Sequence, residues 1–131
     1  MAPRTTTDIE EFVRDAYRAM ETVDVDRVRT MLSDDLQAVD GLMRTWKRGL
    51  GEVGQHLAAL ESSLQRWGSE LGDMVVRDYG DTAIATYLVE ERYSFAGQDY
   101  LDVAPTTMVL RRVDGDWKIV LFQSVPMPPE K

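Results

Sequence analysis

The chain has 131 residues, 44% of them hydrophobic and 29% charged, with a formal net charge of −8 and no cysteine. That length suits one domain spanning residues 1–131, with a core that stands without disulfide staples. Acidic groups outnumber basic ones in both halves, 12 to 9 over residues 1–68 and 11 to 6 over 69–131, which argues against nucleic acid as a partner. The missing cysteines exclude thiolate chemistry and Cys-ligated metals. No apolar run approaches the roughly 20 residues of a membrane span, and the opening Met1-Ala2-Pro3-Arg4 has no apolar secretion core. No membrane association is expected, and the expected location is cytoplasmic.

Thr7-Asp8-Ile9-Glu10 fits a capping box with Thr7 as N-cap. Ile9, Phe12, Val13, Ala16, Tyr17 and Met20 then recur at helical spacing. Asp24 caps a second, shorter helix with Val25, Val28, Met31 and Leu32 on its inner side, and Ser33-Asp34-Asp35 ends it. Leu36–Asp40 reads as a short strand. Gly41–Gly51 reads as a loop carrying Met43, Trp46 and the basic residues Arg44, Lys47 and Arg48. A third helix is expected over Glu52–Trp67, with Val53, Leu57, Leu60, Leu64 and Trp67 along one face and His56 at its edge. Gly68 suits the position just past its end.

Beyond Gly68 the period becomes alternating. Met74–Tyr79 is an expected strand, Gly80-Asp81 a turn, Thr82–Phe95 a long strand and Gly97-Gln98-Asp99 a further reversal. Thr106–Val125 reads as a hairpin around Asp114-Gly115, the strongest turn signal in the chain. Pro126, Pro128 and Pro129 stop it, and Pro105 argues against an unbroken central strand from Tyr100. Ala83, Ala85, Tyr87, Val89, Tyr93 and Phe95 share one side of the long strand, with Ile84 and Leu88 on the other; Trp117, Ile119 and Leu121 oppose Val120 and Phe122 in the last one. Both sheet faces are therefore partly apolar. Three helices cover one of them, and a second copy of the chain covering the outer face is the economical partner for the other.

The order helix-helix-strand-helix, then long antiparallel strands, resembles the nuclear transport factor 2-like superfamily. The ending Asp114-Gly115-Asp116-Trp117-Lys118-Ile119-Val120-Leu121-Phe122-Gln123-Ser124 is similar to that of SnoaL-like proteins and of the association domain of calcium/calmodulin-dependent kinase II. The resemblance implies an α+β cone of cystatin-like roll type, in which a curved antiparallel sheet wraps around helices. It also implies a pocket between sheet and helices and, commonly, a dimer through the outer sheet face. It implies no single activity, since the group holds ketosteroid isomerases, epoxide hydrolases, dehydratases, polyketide cyclases and silent binding or assembly modules. Several members carry histidines where this chain has Leu121 and Gln123, which puts acid–base work at Gln123 in doubt.

Glu90-Glu91 is the strongest chemical signal. Successive strand residues face opposite ways, so the two carboxylates do not share a site. Glu91 falls on the side of Ala83, Ala85 and Tyr87, where small residues leave room for a cavity; an acid walled by apolar groups has a raised pKa and serves as general acid or base. The alternative is a rim carboxylate paired with Arg92, Arg111 or Arg112. Asp40 is a second candidate for the chemistry. Tyr17, Trp46, His56, Tyr87 and Gln123 are candidate ligand-binding residues, with core packing as the competing role. His56 is the sole histidine, so no His-ligated metal is expected. Gly49-Leu50-Gly51-Glu52-Val53-Gly54 spells GxGxxG, but Arg44–Arg48 is not the buried strand a dinucleotide site requires. The glycines suit a tight turn into the helix; an anion held at its N-terminus by Arg44, Lys47 and Arg48 is the lesser reading. No cofactor is expected, and the expected partner is a small, mostly apolar molecule. The sequence leaves open whether the protein turns that molecule over or only binds it.

Overall fold

A computed structural model describes residues 6–22, 24–40, 44–125 and 127, and the side chains of all these except 6, 7, 60, 63–67 and 95. The elements are α1 (Thr6–Glu21), α2 (Val25–Thr30), β1 (Leu32–Val39), β2 (Lys47–Arg48), α3 (Gly49–Ser63), β3 (Leu64–Asp78), β4 (Thr82–Phe95), β5 (Gln98–Val113) and β6 (Asp116–Ser124). The strands make one sheet in the order β2-β1-β6-β5-β4-β3. β3 through β6 form an antiparallel meander, and β2 is antiparallel to β1. β1 runs parallel to β6, so the sheet is mixed, not antiparallel throughout. No tight hairpin joins those two strands, and nothing local fixes their relative direction. None of the helices among the described residues is long and apolar enough to cross a membrane. Met43, Pro126, Pro128 and Pro129 lie outside the described residues, as do the side chains of Thr7, Leu60, Leu64, Trp67 and Phe95.

The turns follow the sequence closely. Asp114 and Gly115 both have positive φ, 53° and 87°, the geometry that matches the twist of a two-residue hairpin. Ala96 and Gly97 repeat it at 53° and 82°. That reversal is therefore centred one residue earlier than Gly97–Asp99, and Gln98 and Asp99 already belong to β5.

Several boundaries depart from the sequence reading: the loop expected over Gly41–Gly51 holds the short strand β2, and the third helix begins at Gly49, not Glu52. β1 starts at Leu32, and its register against β6 slips between Leu32 and Gln37, so Ser33-Asp34-Asp35 forms an irregular strand segment. The third helix ends at Ser63, not Trp67, and residues 64–73 continue as β3. β4 is 14 residues long and needs hydrogen-bond partners along its whole edge; β3 supplies them from Leu64↔Phe95 to Asp78↔Ala83, with Gly68 inside the strand. β5 runs unbroken through Pro105. The Pro105 carbonyl accepts from Val125 N, so its missing N–H lies where β6 has run out, and the ladder to β4 stays whole.

The inner row of β4 is Ala83, Ala85, Tyr87 and Val89, all buried, facing Leu110, Met108, Thr106 and Ala104 of β5. α1 lies across β3 and β4, burying Ile9, Val13, Ala16 and Tyr17 of its apolar stripe, and α3 packs on β1 through Val53 and Leu57. Glu21 ties the end of α1 to the sheet, its Oε1 accepting from the Ser69 amide at 3.1 Å and hydroxyl at 2.9 Å. The opposite, convex face keeps large apolar groups in water: Leu88 is 42% exposed, Leu101 58% and Val125 49%.

Candidate functional site

Between the inner sheet face and the helices lies a cavity of about 100 Å³. Its wall is mostly aliphatic, from Ala16, Met20, Val28, Leu36, Val53, Leu57 and Met108, with the Phe122 ring closing one side. The polar exceptions are Tyr17 of α1, Asp40 just after β1, His56 of α3 and Glu91 of β4.

Glu91 gets there by strand alternation, two residues past Val89 on the inner row. It lies directly across from Asp102 on β5 and Ser69 on β3. Burial, reinforced by the charges of Asp40 and Asp102, pushes its carboxyl up from an ordinary 4.5 to about 8. At neutral pH Glu91 is therefore mostly a neutral acid, able to donate a hydrogen bond. Glu90 points the other way and takes Arg92 at 2.9 Å, so one of the three arginines considered for Glu91 serves its neighbour, and Arg112 lies over the Trp117 ring and donates to the Gly80 carbonyl.

Tyr17 and Tyr87 meet edge to face, ring centroids 5.8 Å apart, with their hydroxyls hydrogen-bonded at 2.9 Å. Burial holds the Tyr17 phenol well above its usual range, and the same cause raises Tyr87; both keep their protons throughout physiological pH. Burial lowers His56, and Lys47 adds to that while Asp40 opposes it. The imidazole is thus mainly neutral at pH 7. Its Nε2 is buried and makes no hydrogen bond among the described residues.

Of the candidate residues, Glu91, Asp40, Tyr17 and His56 line the one cavity, and Tyr87 stands behind Tyr17 through the shared hydroxyl bond. Trp46 and Gln123 do not line it. Trp46 is exposed, with the Arg48 guanidinium 5.9 Å from its ring centre. Gln123 is exposed on the convex face. A bulge decides this: Val109 pairs Leu121 while Leu110 pairs Ile119, leaving Val120 as the extra residue. Ile119 and Phe122 then both face inward, whereas Leu121 and Gln123 face outward, where strict alternation grouped Ile119 with Leu121 and Gln123.

Asp102 is the residue sequence reading missed. It accepts a hydrogen bond from Tyr93 Oη at 2.7 Å and faces Glu91 across the strands. Its signal was the alternation Tyr100-Leu101-Asp102-Val103, obscured by expecting Pro105 to interrupt that strand. At the start of α3, Gly49 takes φ +81° to turn the chain. The Glu52 carboxylate accepts from the Arg48 amide at 2.8 Å, and Arg48 Nε bonds Gln37 at 3.0 Å. An acid of the chain itself thus takes the Arg48 amide, beside the place considered for an anion. No cluster of metal-ligating side chains occurs among the described residues.

A bent sheet of six strands enclosing three helices over one apolar cavity defines the nuclear transport factor 2-like, cystatin-like α+β class. The SnoaL-like domain family matches residues 9–128, and the chain belongs to that family. Solved structures share the fold at low identity. A proposed dehydratase of the NTF2-like family from Streptomyces avermitilis superposes with TM-score 0.81 at 22% identity, covering 95% of this chain and 100% of that one. A proposed aromatic ring hydroxylase from Novosphingobium aromaticivorans gives 0.83 at 20%, covering 92% and 87%. A calcium/calmodulin-dependent kinase II hub from S. rosetta gives 0.77 at 19%, covering 96% and 100%. No curated protein matches in sequence.

Proposed function

We propose that this single domain binds a small, mostly apolar molecule in its cavity and moves a proton on it, in chemistry of the isomerase, cyclase or hydratase type. One observation carries the reading: Glu91 and Asp40 both line the wall of one largely apolar cavity, where burial raises the Glu91 carboxyl to about 8. Two carboxyl groups in unlike surroundings divide into acid and base. In this reading Glu91 donates, Asp40 accepts, and the Tyr17–Tyr87 pair orients a substrate oxygen. An engineered apolar cavity of about 150 Å³ takes up benzene, so a cavity of about 100 Å³ suits a molecule smaller than that ring, such as a short-chain ketone.

Proton–deuterium exchange at the carbons beside the carbonyl of butanone, followed by NMR in D₂O, tests this. The wild-type protein is expected to accelerate it, and Glu91→Gln to lower the rate by about 100-fold or more. Binding without exchange would favour a non-enzymatic module. That second reading has its own support in the convex face, where Leu88, Leu101, Val103 and Val125 are bare to solvent, and in the likeness to a kinase hub. A homodimer through that face accounts for the exposed apolar groups, and it is compatible with either reading.

A further inference from the structure

We infer that His56 is the residue that selects the cavity's ligand, through a hydrogen bond at Nε2, and that the ligand is a short ketone carrying one hydroxyl group. The inference rests on the pocket reading above and names its substrate class.

The third helix brings His56 to the cavity. Val53, His56 and Leu57 stand at i, i+3 and i+4 of α3 and share one side of it, and all three line the cavity. Of the four polar side chains in that lining, Tyr17 already bonds Tyr87 at 2.9 Å. Glu91 and Asp40 take the parts of acid and base. His56 has no part in that chemistry. Its Nε2 is nevertheless shut away from solvent and makes no hydrogen bond among the described residues.

Such an atom is rare, because a buried polar group without a partner keeps the cost of its lost hydration. The aliphatic lining, Leu36, Val53, Leu57 and Met108 among it, offers no partner. A ligand can supply one. A plain ketone whose carbonyl oxygen is taken by Glu91 fills the cavity and leaves Nε2 unpaired. A second polar group on the ligand removes that cost.

Imidazole chemistry narrows what that group is. Burial lowers the His56 pKa, so the ring is mainly neutral, and Nε2 donates or accepts according to the tautomer. A hydroxyl does both and therefore satisfies Nε2 in either tautomer, whereas a carbonyl or an ether only accepts. A hydroxyl also brings no charge, so Glu91 keeps the proton that the proposed chemistry needs it to donate. The wall sets the limit at one. With the carbonyl on Glu91 and the hydroxyl on His56, each further hydroxyl would meet mostly hydrocarbon and be buried at a loss.

His56 is the sole histidine, so NMR of the full chain labelled with heavy nitrogen at histidine sees one imidazole. The probes are butanone, acetoin and the β-hydroxy isomer of acetoin, the last two being butanone with one hydroxyl added at different carbons. At least one hydroxy ketone is expected to bind about three- to tenfold more tightly than butanone, as one net hydrogen bond provides. The same ligand should move the Nε2 resonance well beyond any shift that butanone causes. In His56→Leu its advantage over butanone should shrink to within about twofold. Erythrulose, the same carbon chain with a hydroxyl on every carbon but the carbonyl, should bind more weakly than the preferred hydroxy ketone. Hydroxy ketones no tighter than butanone, an Nε2 resonance that stays put, or an advantage that survives His56→Leu overturns the inference and leaves the pocket reading standing. Tighter binding of erythrulose overturns the limit of one hydroxyl. The resonance is read on the wild-type protein, so the inference stays falsifiable even where His56→Leu fails to fold. Failure of every probe to bind, butanone included, would overturn the pocket reading itself, and this inference with it.

Discussion

Glu91 links stability to pH, and the size of the link follows from its position. Its carboxyl titrates near 4.5 in an unfolded chain and near 8 in the fold. Between those values the folded chain holds a proton that the unfolded chain has lost, so stability falls as pH rises. At about 1.36 kcal/mol per pH unit, ionising Glu91 inside the fold costs up to about 5 kcal/mol above pH 8, and nothing below about pH 4.5. Glu91→Gln keeps the shape, removes the titration and should flatten that part of the profile. The assay is urea unfolding of both proteins at intervals from about pH 5 to 9, read by circular dichroism. The wild-type curve should fall by several kcal/mol relative to the variant, with most of the difference developing between about pH 5 and 8. Near pH 8.5 the variant should melt higher by roughly 14 °C, at about 3 °C per kcal/mol for a chain of this size. His56, lowered by burial, acts in the opposite sense, removing stability as pH falls through about 6.5, but equally in both proteins. Two parallel curves from pH 5 to 9 would show that Glu91 is solvated like a surface acid and refute the cavity chemistry built on it.

Four further outcomes are expected. Tyr17→Phe and Tyr87→Phe should each cost about 1–3 kcal/mol by leaving a buried hydroxyl unpartnered, with the double variant costing less than the two together; a denaturation cycle checks this. Leu110→Ala, at a fully buried position, should cost about 2–5 kcal/mol in the same measurement. Gly115→Ala places a Cβ where φ is +87° and should cost about 1 kcal/mol or more, read as a lower melting temperature. Sedimentation should give about twice the 14.9 kDa chain mass, and Leu101→Asp on the convex face should return the monomer mass with unchanged circular dichroism. A wild-type monomer at micromolar concentration would refute the dimer.

Much of this protein is dictated locally. The apolar spacing of Ile9, Val13 and Tyr17 fixes α1 and the face it buries, because a helical period admits one stripe. Asp114-Gly115 fixes the last hairpin, because few residue pairs accept two consecutive positive φ angles. Alternation along Ala83, Ala85, Tyr87, Val89 and Glu91 gives one face to all five, and so sets the acid beside the aromatics. Whether that face was wet or dry was not local information: the helices that cover it come from the other end of the chain. The length of β3 was likewise set from outside, by the edge of β4, which overrode a helical pattern running to Trp67. The site turned on a single extra residue. With Val120 bulged against β5, Phe122 faces the cavity and Gln123 faces water; without it the two would exchange places. A bulge arises from how two strands seat against each other, and in a run as evenly apolar as Ile119–Phe122 either register buries hydrocarbon. Only the tertiary structure could choose between them.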